Sequence, residues 1–208
     1  MLDFNFHIVT PRLTLSYINP NNGRHCDFVQ ELNNSPEMDL VNRHMPRAIS
    51  TPEATREWLE TGVATLEKTG YGRFLISHRP SDAHGTRADK PFSEIVNTCD
   101  FIGITSMQYG RFSTAPPIPD IGFSIMAKYY GKGYATEAAQ GLMEYYREEK
   151  GQTAFAGYCD TENENSKKLL RRLGFEDAGV REVKGLVGEE VGLKCAVFMV
   201  GVEGGWKW

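Results

Sequence analysis

The chain is short of the residues that staple, anchor or coat other molecules. It has four cysteines, Cys26, Cys99, Cys159 and Cys195, and no two of them form a C-x-x-C. That spacing speaks against a zinc site, and no metal is expected. The five histidines show no metal-ligand spacing, and there is no G-x-S-x-G elbow for a hydrolytic triad. No uncharged apolar run is long enough to span a bilayer, so no membrane partner is expected. The first residues, Met1 to His7, lack the basic and apolar regions of a signal peptide. Basic residues are outnumbered: 23 Lys and Arg against 27 Asp and Glu give a net charge of -4 and a pI near 5.8. That balance speaks against a broad nucleic-acid-binding face but allows a local basic patch. No internal repeat is visible. The expectation is a cytoplasmic protein with free, mostly buried thiols.

What is present suits one domain, 1–208, with its core over about 10–200. A chain of this size buries roughly 70–75% of its unfolded surface and needs no staples. Residues 10–17 alternate apolar and polar side chains, as a strand does. Within 24–33, Phe28, Val29 and Leu32 fall at helical spacing. Thr51 and Pro52 read as an N-cap and a first-turn proline. The helix they open carries Trp58, Leu59, Val63 and Leu66 on one face, and Gly70 stops it. A short strand is expected over 74–77. Residues 79–97 are rich in Pro, Ser, Asp, Gly and charge and read as a loop insertion. Strands over 101–108 and 120–126 follow, joined by a Pro-rich loop. Then come a helix over 134–149, a strand over 153–159, a helix over 163–173 and a closing hairpin over 180–186 and 193–200. This order predicts an α/β (α+β) fold, a mixed and strongly twisted sheet of about seven strands flanked by about four helices.

The most telling stretch is Tyr129-Tyr130-Gly131-Lys132-Gly133-Tyr134-Ala135-Thr136-Glu137-Ala138. It puts two glycines where a strand turns into a helix. A helix start leaves backbone N–H groups without partners and gathers partial positive charge. Glycines let that backbone approach a bulky anion, and Lys132 adds a cation. A P-loop is excluded, because Met126 stands where its first glycine belongs and Gly133 where Ser or Thr should follow the lysine. A dinucleotide fingerprint fails too, with Thr136 in place of its third glycine. A plain left-handed turn closing the junction is the alternative to a phosphate cradle.

A second motif follows at Asp160-Thr161-Glu162-Asn163-Glu164-Asn165-Ser166-Lys167-Lys168-Leu169-Leu170-Arg171-Arg172-Leu173-Gly174-Phe175. With both motifs in this order, the chain resembles the GNAT superfamily of acyl-CoA-dependent N-acetyltransferases, in its RimJ/RimL-like branch. Asn163, Ser166, Leu170, Gly174 and Phe175 fill the family's N-x-x-S-x-x-x-L-x-x-x-G-F pattern. Thr10 to Leu15 resembles its first strand and Phe101-Ile102-Gly103 its third. The resemblance covers about 10–200. It implies acetyl-CoA as co-substrate and a primary amine as acceptor: a protein N-terminus, a polyamine or a small molecule. Backbone groups of Phe123 and Ile125 should pair with the pantetheine, and one of their N–H groups should face the developing oxyanion. Tyr130, Gly131, Lys132, Gly133, Tyr134, Ala135 and Thr136 should wrap the pyrophosphate. Asn163 should bond the pantetheine amide region, and Lys167 or Lys168 the 3′-phosphate. The loop often begins with Gln or Arg in the family at large; Tyr130 follows the aromatic habit of this branch.

The chemistry needs a neutral amine. A lysine-like amine with an unperturbed pKa near 10.4 is neutral about once in 2,500 molecules at pH 7, so a base or a tuned environment has to help. Asp120, on the strand before the loop, is the candidate base; the alternative is an edge carboxylate facing solvent after Pro116, Pro117 and Pro119. Ser166 is the candidate acid for the leaving thiolate; the alternative is a first-turn serine bonding its own backbone. Leu170 stands where many relatives outside this branch carry a tyrosine, so that helix offers no tyrosine acid. Glu137 reads as a first-turn carboxylate. Lys167, Lys168, Arg171 and Arg172 read as a solvated face; Asp27, Glu31, Glu37 and Asp39 read as a solvated acidic face, the alternative being that they attract a cationic amine. Acceptor choice should lie in the helices after Tyr17, the 79–97 loop and the closing hairpin. A non-catalytic acyl-CoA-binding module is the rival reading, and monomer or homodimer is open. The tail Trp206-Lys207-Trp208 should pack on the core or on a partner.

Overall fold

A computed structural model describes residues 1–41, 49, 51–79, 90–112, 114–185 and 191–202. Most of the expected 79–97 loop, the end of the expected strand at Leu186 and the Trp206-Lys207-Trp208 tail lie outside the described residues. The elements in chain order are β1 (His7–Val9), β2 (Leu13–Tyr17), α1 (Gly23–Asn33), α2 (Pro36–Val41), α3 (Pro52–Thr69), β3 (Gly72–His78), α4 (Phe92–Ile95), β4 (Phe101–Gln108), β5 (Asp120–Ile125), α5 (Tyr134–Lys150), β6 (Phe155–Asp160), α6 (Glu164–Arg172), β7 (Glu176–Lys184) and β8 (Gly192–Val200). The eight strands form one sheet in the order β1-β2-β3-β4-β5-β6-β8-β7. Every pairing is antiparallel except β5 with β6. Among the described residues no helix is long and apolar enough to cross a membrane.

The α/β fold class is as expected, and four details differ. The sheet has eight strands rather than about seven, because β1 adds an edge to β2. There are six described α-helices rather than about four, because α2 and α4 form. The stretch 79–97 is not all loop: α4 and a 3-10 turn at Val96–Thr98 occupy its end. Phe92 and Val96 are one helical turn apart and both are buried, which pulls this polar stretch onto the core. β7 begins at Glu176 rather than 180, with a bulge at Gly179, whose positive φ of 86° breaks the alternation that marks a strand.

Two apolar layers cover the sheet. On one face α5 buries Ala138, Leu142, Met143 and Tyr146 against Leu13, Leu15, Ile121, Ile125 and Phe155. On the other, α1 and α3 bury Phe28, Val29, Leu32 and Leu59 against Leu75, Phe101 and Ile104. The caps are those the sequence announces: the Thr51 side chain accepts from Ala54 N–H at 3.1 Å, and Gly70 ends α3 with a φ of 75°.

These two layers decide what each face of β5 does. Ile121 and Ile125 point into the α5 core, so the alternate residues Asp120, Gly122 and Ser124 face α1 and α3. Two of these three are small, and the sheet stays open there. A Cβ on Gly122 would stand 2.6 Å from Ser106 Oγ.

Candidate functional site

The parallel strands β5 and β6 share one register pair, Asp120 with Ala156, and then part. Met126 N–H donates to Ile102 O at 2.9 Å on the β4 side. Pro119 O accepts from Ala156 N–H at 2.9 Å on the β6 side. Alternation between these two anchors turns the N–H and C=O groups of Phe123 and Ile125 away from β4 and into the gap.

Past β5 the chain makes a 3-10 turn at Ala127–Tyr129 and enters the glycine loop. Gly131 and Gly133 have φ of 73° and 79°, a region closed to most side chains. Gly133 is the N-cap of α5, and among the described residues no side chain caps that helix. The first-turn N–H groups of Tyr134, Ala135 and Thr136 have no carbonyl four residues back within the helix.

The loop is held from behind. Glu137 Oε1 accepts from Thr10 Oγ1 and from Arg12 N–H, each at 2.7 Å, and Oε2 accepts from Arg12 Nε at 2.6 Å. The same guanidinium donates to Lys132 O at 3.0 Å and lies over the Tyr134 ring at 4.6 Å. Burial alone would raise the Glu137 pKa. The bonds from Thr10 and Arg12, with the Arg12 charge, hold it below the usual carboxylate value instead. The expected first-turn carboxylate is thus also a tether between two elements 125 residues apart in sequence. Tyr134 completes the frame through a 3.0 Å contact between its hydroxyl and His78 Nε2.

On the far side of the gap stands α6. Asn163 is its N-cap, with Oδ1 accepting from Ser166 N–H at 3.0 Å. Capping therefore falls to Asn163. Among the described residues the Ser166 hydroxyl makes no hydrogen bond, so the self-bonded alternative does not hold. Leu170 is buried over Gly157, where a Cβ would come within 2.6 Å of its Cδ2. Lys167 pairs with Glu164 at 2.7 Å and is largely covered, while Lys168 is exposed. The solvated face expected here is correct for Lys168 and not for Lys167.

A cleft of about 610 Å³ runs from α6 through the gap to α1 and α3. Of the sequence-derived candidates it is lined by Phe123, Asn163 and Ser166, and by Asp39 of the acidic group. The run 130–136 lies outside it on the surface, with Lys168 also exposed. Ile125 turns its side chain into the core and offers the gap only backbone. Asp120 is buried at 5% exposure, so the solvent-facing alternative is wrong. Its carboxylate lies 3.3 Å from Arg111. Burial raises its pKa, and Arg111 and then Arg73 oppose that.

Arg73, Arg111, Trp58 and Tyr158 also line the cleft, and none of them was expected there from the sequence. Arg73 falls beside an expected strand, yet its direction depends on the register with β4. Among the described residues the buried Tyr158 hydroxyl has no hydrogen-bond partner, and burial pushes its pKa up. Burial also raises the Cys159 thiol to about 11, so this cleft cysteine is no thiolate at neutral pH. Among the described residues no cluster of His, Cys, Asp or Glu could hold a metal ion.

A sheet that parts between two parallel strands beside a glycine-led helix start is the architecture of an α/β acyltransferase. The chain belongs to the acetyltransferase (GNAT) domain family, whose model matches residues 12–176. It is 30% identical over 91 residues to an uncharacterized N-acetyltransferase, p20, of Bacillus licheniformis. That match spans 44% of this chain and 47% of the relative, about half its length. Among solved structures, the microcin C7 self-immunity acetyltransferase MccE, in complex with acetyl-CoA and AMP, aligns with a TM-score of 0.67 at 15% identity over 92% of this chain and 93% of its own. RimL, the ribosomal L7/L12 alpha-N-protein acetyltransferase, aligns with a TM-score of 0.64 at 16% identity over 95% of this chain and 94% of its own. At these identities the likeness is one of fold.

Proposed function

We propose that the protein transfers an acetyl group from acetyl-CoA to a primary amine by direct attack on the thioester. The observation that carries this reading is the single-rung contact between β5 and β6, flanked by the uncapped start of α5 and by α6. The pantetheine amides extend the open edge of β5 at Phe123 and Ile125, as an added strand would. Tyr130 to Thr136 receive the pyrophosphate on backbone N–H groups, with Lys132 beside them. Asn163 has spent its oxygen on capping and keeps its amide N–H₂ for the pantetheine. The exposed Lys168 reaches for the 3′-phosphate.

The amine nitrogen attacks the acetyl carbonyl, and a Phe123 or Ile125 N–H holds the oxyanion. As the tetrahedral centre collapses, the C–S bond breaks and the thiolate takes a proton. Ser166, with an unengaged hydroxyl in the cleft, is the donor, directly or through water. Asp120 is the base. Its backbone lies three residues from Phe123, about 10 Å of strand and too far for one water, so the proton travels to it along a chain of waters. The reading places the protein in the cytoplasm, where its four cysteines stay thiols.

The test has two parts. Calorimetry should show CoA binding, with a matching rise in thermal stability. Thiol release from acetyl-CoA should depend on an added amine. CoA binding without amine-dependent release would favour a non-catalytic acyl-CoA-binding module. No binding at millimolar CoA would end the reading.

A further inference from the structure

Among the described residues, one part of the cleft wall sets two guanidiniums, Arg73 and Arg111, against a single carboxylate, Asp120. Arg73 stands across the sheet from Ser106, on the face turned to α1 and α3, and its guanidinium lies over the Trp58 ring at 4.3 Å. Its hydrogen bond goes to a neutral group, Gln108 Oε1, at 3.5 Å. Arg111 enters the same space from the loop after β4 and holds Asp120 at 3.3 Å. The charged groups that bear on Arg73 are Arg111 and Asp120, and those that bear on Asp120 are the same two arginines. Two guanidiniums therefore share one carboxylate at the wall of the cleft. Asp39 and Asp160 also line it, and each has interactions of its own. Burial and then Arg111 lower the Arg73 pKa to about 10, which leaves it a cation at neutral pH in want of a counter-ion. A guanidinium's planar fork fits a carboxylate through two parallel N–H···O bonds.

We infer that the acceptor is a primary amine that also carries a carboxylate, clamped by Arg73 and Arg111 while the amine reaches the open edge of β5. The inference rests on the acetyltransferase reading above. The clamp sits beside Asp120, and the reacting carbonyl sits beside Phe123, about 10 Å further along the strand. Amine and carboxylate are therefore separated by several bonds. An ω-amino acid meets that requirement, and so does a peptide N-terminus with an acidic residue close behind it. A polyamine brings only positive charge to the spot where Arg73 and Arg111 already outnumber Asp120.

The experiment compares acceptors that differ in one group. Thiol release is measured for ω-amino acids of increasing length against their carboxamides. It is also measured for dipeptides with Asp or Glu second against the same with Asn or Gln second. The wild-type protein should favour the carboxylate by about 10- to 100-fold in kcat/KM. A maximum at one chain length in the first series identifies a small acceptor; a preference confined to the dipeptides identifies a protein N-terminus. Arg73→Gln and Arg111→Gln should bring the carboxylate-to-amide ratio close to one, chiefly through KM, with CoA calorimetry certifying that each variant is folded. Arg73→Lys keeps the charge, loses the fork and should keep only part of the preference. Where a variant fails to fold, the wild-type ratio alone decides. Amine-dependent release with no carboxylate preference overturns the inference and leaves the acetyltransferase reading standing. No CoA binding and no release with any amine overturns both.

Discussion

The two ends of the cleft are built of different material. The end proposed for the cofactor is mostly backbone: the open edge of β5, two left-handed glycines and the first turn of α5. The end proposed for the acceptor is mostly side chains, with Trp58 from α3, Arg73 from β3, Gln108 from β4 and Arg111 from a loop. Backbone groups look alike in every member of a fold, so they suit a ligand that stays the same. Side chains change one at a time, so they suit a ligand that varies. The contrast also separates two kinds of fragility. A backbone site fails when the chain cannot take its dihedral angles; a side-chain site fails when one contact is deleted.

Gly133→Val should break the backbone end most severely. The φ of 79° at Gly133 is nearly closed to a β-branched residue. CoA affinity should fall by about 100-fold or more, read by calorimetry, given strain of about 1–3 kcal/mol and a displaced first turn. The loop is exposed, so circular dichroism should show the fold intact. Unchanged affinity in a folded variant would put the phosphate elsewhere.

Ser166→Ala sharpens the contrast by touching chemistry alone. We expect kcat to drop by about 10- to 100-fold while CoA affinity stays within a few-fold. The low end of the general-acid range is expected because a thiolate, whose conjugate thiol has an ordinary pKa near 8.5, leaves tolerably well without a proton. Full kcat in pre-steady-state measurements would reduce Ser166 to a first-turn residue. Asp120→Asn should cost about tenfold at pH 7, and less as pH rises and more of the acceptor amine is neutral unaided. A wild-type pH–rate profile would assign the base to another group or to an ordered water.

Glu137→Gln is the mildest change and tests whether the backbone end depends on its tether. Losing the charge-assisted bonds to Arg12 should lower stability by about 1–3 kcal/mol at pH 7 and weaken CoA binding several-fold. The Glu137 pKa is held below the ordinary carboxylate value of 4.5 in the folded protein. Its stabilisation is therefore complete above the unfolded pKa and is lost as pH falls through the folded one. Urea titrations of wild type and variant should differ at pH 7 and converge only once the pH has fallen below the depressed folded-state pKa of Glu137. A constant difference across that range would mean that the tether carries no charge-dependent stability.

The same division explains what the sequence revealed. The glycine loop, Asn163 and Ser166 lie in two continuous runs, and local spacing carries their geometry. The capped ends of α3 and the bounds of β4 were legible for the same reason, since Thr51, Pro52, Gly70 and the apolar run 101–108 act on their own neighbourhood. Arg73 and Arg111 meet only because β3, β4 and β5 pair in one register, and no local pattern encodes that. The Thr10–Arg12–Glu137 tether joins residues in two motifs that carry no sign of each other. α4 was missed because Pro91, Ser93 and Glu94 look like loop, while the burial of Phe92 and Val96 that fixes it is a tertiary fact.

Beyond the Asp120–Ala156 rung, no strand among the described residues pairs with β5 to occupy the amides of Phe123 and Ile125. At the outer rim of a sheet, such amides invite a second molecule to dock and are a hazard for aggregation. Here the vacancy is internal, walled by α6 on one side and by α1 and α3 on the other, so a whole polypeptide strand cannot follow it in. A thin chain with two amide bonds can. On the proposed reading the sheet takes as its ninth member something that is not protein, and the hazard of an unfinished edge becomes a filter that admits slender, amide-bearing molecules.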